Sequence, residues 1–152
     1  MDAEQAASVV LFYFVGMALG RFLSGVIADK LHSWKIIMIA ESVLGVAVLL
    51  LAIPGPAILS SIGFFMIGLG NGPLFPNFNY LAPESFGKDV SESVISLQMA
   101  SAYVGILAGP LLCGLLGQNL GMFIFPFYII CAFAAMVVIT VLAQKLLRKK
   151  DH

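Results

Sequence analysis

Charge is what this sequence has least of. Its 152 residues include eight Lys and Arg, eight Asp and Glu and two His, so 11% are charged, against about 25% in an average soluble domain. A soluble chain of this length could bury one core, but it would need a polar surface to enclose it. Too few polar residues are present to make one. The formal net charge is zero, so no bulk field points to a nucleic-acid partner. Histidine occurs only as His32 and His152, and no Gly-x-Ser-x-Gly elbow, phosphate loop or paired metal ligands appear. An enzyme, a metal centre and a cofactor are therefore not expected. Cys113 and Cys131 both sit inside apolar runs and read as small hydrophobic residues rather than a disulfide or metal pair. The start, Met1 to Gln5, is acidic and polar, without the basic segment of a cleavable signal peptide.

Apolar residues are abundant, at 61% of the chain, and they fall into five long runs. A span needs about 20 mostly apolar residues. The runs are residues 6–28, 34–53, 57–81, 91–116 and 123–146. Polar links separate them: Asp29 to Ser33, then Pro54-Gly55-Pro56, which breaks any helix. The longest is Ala82 to Val90. Asp89-Val90-Ser91-Glu92 has the spacing of a capping box and is predicted to open the fourth helix. The runs are too long and too uniformly apolar for the alternating strands of a membrane barrel. The expected fold is all-α, a polytopic membrane helix bundle of five transmembrane helices. The cations Arg21, Lys30, Lys35, Lys88, Lys145, Arg148, Lys149 and Lys150 all fall toward one side, while the opposite connections, residues 53–57 and 117–122, carry no charge. Short basic loops stay on the cytoplasmic side, which puts the N-terminus outside and the C-terminus inside a cell or inner membrane.

Small residues line two helix faces at four-residue spacing. Gly16, Gly20, Ser24 and Ala28 form one ridge; Ser101, Gly105, Gly109, Cys113 and Gly117 form the other. In lipid, where packing drives helix association, such ridges let backbones approach closely. Both are expected to be packing faces within a bundle.

The most specific string is Gly20 to Lys30, GRFLSGVIADK, at the end of the first span. It resembles the inner loop between the second and third helices of each half in the major facilitator superfamily, with Gly25, Asp29 and Lys30 in matching places. His32 stands where the family usually has glycine, and the later basic residue is Lys35; this weaker ending is typical of the C-terminal repeat. Asp29 closes a helix, where the macrodipole disfavours an anion, so it needs a cationic or helix N-terminal partner. The resemblance implies that this partner lies on a neighbouring helix and that the contact gates the conformational change. A solvated loop Asp without that role is the alternative.

A second string, Gly68 to Asn77, GLGNGPLFPN, is similar to the fourth helix of the C-terminal half in sugar permeases, especially the fucose permease branch. Ala100 to Leu116, with Gly105, Gly109 and Pro110, resembles the helix that follows. The register implied is helices eight to twelve of a twelve-helix transporter, the chain being part of a C-terminal transmembrane domain. From the residues alone, Gly72, Pro73 and Pro76 predict a helix break, since proline frees a backbone carbonyl, tolerated in a membrane only within a bundle or beside a wet cavity. Asn71, Asn77 and Asn79 cluster there with Tyr80. Asn71 and Asn77 are candidates for a substrate cavity, as are Gln98 and Tyr103 in the fourth span; the alternative is that the amides only satisfy the broken helix. Arg21 and Glu41 lie within spans, at depths of roughly 15 and 10 Å from the inner face at about 1.5 Å per residue. They are expected to form an intramembrane ion pair, with Glu41 as a proton-coupling carboxylate the alternative.

The resemblance implies a secondary active permease, a symporter working by alternating access on a small polar solute such as a sugar or an organic anion, with membrane lipid around it. Proton coupling is not assigned by these residues. Five spans do not enclose a path between two six-helix halves, so the chain is expected to be a fragment that needs a missing N-terminal half or a partner subunit, and not to transport alone. A non-transporting membrane subunit, or a degenerate truncated gene product packing against another membrane protein, is the competing reading. An intramembrane enzyme is a third.

Overall fold

The computed structural model describes residues 3–53, 55–121 and 123–150. Five helices occupy them: α1 (Ala3–Ala28), α2 (Ser33–Ala52), α3 (Ala57–Phe86), α4 (Lys88–Leu120) and α5 (Ile124–Lys150). All five are long and apolar enough to cross a membrane. The fold is an all-α bundle, and the protein is a multi-pass membrane protein. The side chains of the basic residues 148–150 lie outside the described set.

The helices run further than the apolar runs alone predict. The stretch from Ala82 to Val90 is not a loop: α3 continues to Phe86, and Gly87 alone separates it from α4. Gly87 turns the chain with φ 81° and ψ 163°, a combination open essentially to glycine. The predicted capping box does not form. Gly87 takes the cap position without a side-chain hydrogen bond, and Ser91 Oγ instead donates back to the Lys88 carbonyl at 2.9 Å. Gly121 plays the matching part after α4, with φ 92°.

The chain divides into two compact units, residues 1–81 and 82–152. In the first, α2 supplies much of the core. Its buried residues Ile36, Ile37, Ala40, Leu44, Ala47 and Val48 recur every three or four positions and so share one face. The third helix touches both of its neighbours through glycine. A Cβ on Gly68 would run into the Tyr13 carbonyl and lie 2.8 Å from the Met17 nitrogen, while one on Gly70 would meet the Ala40 carbonyl at 2.8 Å and the Leu44 side chain at 2.7 Å. Two residues advance a helix by about 200°. In Gly68-Leu69-Gly70-Asn71-Gly72, the outer glycines therefore face α1 and the middle one faces α2. This explains a glycine-rich string inside a continuous helix.

The ridge predicted on α1 is such a contact. Gly16 lies against the Phe65 carbonyl and Gly20 against the Leu69 carbonyl, so α1 and α3 run parallel with their backbones touching. The ridge predicted on α4 differs. A methyl group added at Gly105 would meet nothing within 4 Å, and one at Gly109 would meet only the Tyr128 hydroxyl at 3.7 Å. Within the second unit α4 packs on α5, and Tyr128 donates to the Gly109 carbonyl at 2.8 Å. One helix partner does not cover a five-residue ridge.

Candidate functional site

The polar residues of α3 divide into two sets with different surroundings. Helix α3 passes through Pro73 and Pro76 without interruption, so the helix break expected at Gly72, Pro73 and Pro76 is corrected to a continuous helix. Proline at 73 removes the bond that the Leu69 carbonyl would accept. That carbonyl lies against Gly20, where the missing side chain leaves room for a close Cα–H contact. The ridge on α1 thus shelters the carbonyl that the proline frees.

Asn77 is 2% exposed. Its Nδ2 donates to Ser24 Oγ at 2.8 Å and to the Pro73 carbonyl at 2.7 Å. An amide nitrogen has two protons, and both are engaged. Asn77 is therefore a clamp between α1 and α3, and its expected place in a substrate cavity is corrected accordingly. Asn79 also turns inward in part, with a buried Oδ1 that has no hydrogen-bond partner among the described residues.

Asn71 is exposed. Its Nδ2 donates to the Tyr13 hydroxyl at 3.0 Å, which leaves one amide proton, the amide oxygen and the phenolic proton unengaged by that bond. Residue type alone does not single out Tyr13. It is three residues before Gly16 and seven before Gly20, which places it on the helix face that meets α3; that spacing is the signal that identifies it. Its ring meets Phe14 edge to face, with centroids 5.3 Å apart. Phe64, Ile67, Phe75 and Phe78 share the Asn71 face of α3, at offsets of four and seven residues.

The remaining expected site residues differ in their surroundings. Gly25, Asp29 and Lys30 are all exposed, and a methyl group on Gly25 would meet nothing within 4 Å. The backbone turns tightly there, with the nitrogens of Lys30 and Leu31 both donating to the Ile27 carbonyl at 2.9 and 3.0 Å. Arg21 is exposed on α1, whereas Glu41 is buried on α2, 7% exposed. The two expected members of an ion pair thus stand in unlike surroundings. Gln98 is half-buried and Tyr103 is 72% exposed; both belong to the second unit.

No solved structure matches this chain. A curated relative, the glucose/mannose transporter GlcP of Bacillus subtilis (strain 168), is 34% identical over 120 residues, covering 78% of this chain and 29% of the relative. The chain therefore spans less than a third of that relative's length. The pattern of the Major Facilitator Superfamily matches residues 1–152. Five membrane-crossing helices, a glycine-lined contact between parallel helices and a family match over every residue lead to one conclusion: the chain belongs to the Major Facilitator Superfamily.

Proposed function

We propose that this chain forms part of a secondary transporter that moves a neutral sugar across a membrane by alternating access. The observation that carries the reading is the family match over residues 1–152 together with 34% identity to a glucose/mannose transporter. The polar groups at Asn71 and Tyr13 agree with it. Both are uncharged, and an amide and a phenol suit a solute rich in hydroxyl groups better than an organic anion, which calls for a cation.

In this reading the N-terminus lies outside and the C-terminus in the cytoplasm, as the basic residues direct. Gly25, Asp29 and Lys30 sit at the cytoplasmic end of α1, and Asp29 gates the conformational change through a partner on another helix. The path is completed by helices beyond these five. The test is uptake of labelled glucose and mannose by cells stripped of their own sugar uptake and producing the transporter that contains this chain. Accumulation above the vector control is expected. Absence of uptake for both sugars, with the protein present in the membrane, refutes the sugar reading.

A further inference from the structure

Asn71 lies fourteen residues into α3, which begins at Ala57, and so falls in the middle of a span. An exposed primary amide at that depth is costly against lipid, because hydrocarbon offers no partner for its free proton and oxygen. The amide itself therefore meets water, a solute or another polar group. The amide is also held in place. Nδ2 is fixed on the Tyr13 hydroxyl at 3.0 Å, and that oxygen, having accepted, directs its own proton away from the amide. An amide N–H, an amide oxygen and a phenolic O–H are then presented side by side. Phe75, one turn along the same face and 36% exposed, adds an aromatic surface next to them. A sugar ring offers the matching pattern, hydroxyl edges for the polar trio and a C–H face for the ring.

We propose that Tyr13 and Asn71, on adjacent parallel helices, form one hydroxyl-reading subsite of the transported sugar, in which each orients the other. This rests on the sugar-transport reading above. The amide supplies a donor and an acceptor, the phenol a donor, and the pair reads a specific hydroxyl of the solute.

The test is the uptake kinetics of the transporter that contains this chain, with glucose and a series of monodeoxyglucoses as substrates. Tyr13→Phe removes the phenolic donor and keeps the ring. It is expected to raise KM for glucose about five- to tenfold, the worth of one neutral hydrogen bond, and to leave the maximal rate in place. For the one deoxyglucose that lacks the hydroxyl being read, the variant and the parent should have the same KM. Asn71→Asp keeps the shape but replaces the N–H donors with a carboxylate that accepts from the Tyr13 hydroxyl, which takes the phenolic donor too, and should raise KM at least as much. A parent that transports glucose while both variants keep its KM overturns the subsite and leaves the sugar reading standing. An equal rise in KM for every deoxyglucose also overturns it, since that marks a general disturbance of packing. If Tyr13→Phe fails to reach the membrane, Asn71→Asp decides; if both fail, the pair is a packing element and the subsite is wrong. A parent that moves no sugar removes the sugar reading first, and this inference with it.

Discussion

Replacing Gly68 with alanine puts the close contact between α1 and α3 to a direct test. The new methyl would overlap the Tyr13 carbonyl and lie 2.8 Å from the Met17 nitrogen. Both obstacles are backbone, so no rotamer change relieves them. The helices must separate, by roughly 1.5 Å at the Tyr13 carbonyl, to restore ordinary contact distances near 3.5 Å. Overpacking of this kind costs about 1–3 kcal/mol. Separation also stretches the Asn71–Tyr13 and Asn77–Ser24 bonds, now 3.0 and 2.8 Å, each worth about 0.6 kcal/mol in membrane proteins. Alanine returns up to about 1 kcal/mol through its better helix propensity. The net loss is about 2 kcal/mol, a fall in Tm of roughly 4–8 °C for a chain of this size. Gly105→Ala is the matched control. It lies in α4 with nothing within 4 Å of the new atom, so only the propensity gain remains and Tm should hold or rise slightly. The assay is thermal unfolding of the 152-residue chain in mild detergent, followed by the helical circular dichroism signal. Equal shifts for the two variants would refute the packing described for α1 and α3.

Other perturbations separate the remaining elements. Asn77→Ala leaves the buried Ser24 hydroxyl without the donor it has at 2.8 Å and should cost about 1–3 kcal/mol; a double-mutant cycle with Ser24→Ala should show a coupling of about 0.6 kcal/mol, and strict additivity would refute the clamp. Gly87→Ala should destabilise the α3–α4 junction by about 1–3 kcal/mol through backbone strain alone, because φ is 81° and a methyl there meets nothing; an unchanged Tm would count against that turn. With Cys113 and Cys131 replaced by alanine, a single cysteine at Ser33 should react with an impermeant maleimide only from the cytoplasmic side and one at Gly55 only from outside, and the reverse pattern would invert the orientation. If Arg21 and Glu41 act as a pair in the transport cycle, the exchange Arg21→Glu with Glu41→Arg should recover part of the uptake that either single change abolishes; no recovery would dissolve the pair.

Much of the fold is legible in the sequence because lipid imposes a simple rule: every backbone group needs an internal partner, so long apolar runs become helices. The five spans follow from that alone. The junctions do not, because two features of 82–90 compete. Pro83, Glu84 and Lys88 read as a loop by composition, yet helix extends on both sides and confines the turn to Gly87. A positive φ at one glycine achieves what the composition of the whole stretch suggests. Capping fails as a guide for the same reason: once helix begins at Lys88, Asp89 lies inside it rather than before it.

The candidate site is half legible, and the difference between Asn71 and Asn77 shows why. Both are amides near Pro73, and residue type alone places both in a cavity. Their positions around the helix decide otherwise. Six residues turn α3 by about 600°, or two-thirds of a turn beyond a full one, so the two amides point to different sides. Asn77 meets Ser24 and is consumed in packing, while Asn71 meets the tip of Tyr13 and keeps hydrogen-bonding capacity to spare. Sequence spacing gives the angle between them but not which side is occupied. That depends on a partner helix more than fifty residues away, and on glycines small enough to let it approach. The same glycines therefore set both results. By drawing α1 onto α3, they bury one asparagine and bring a phenol to the other.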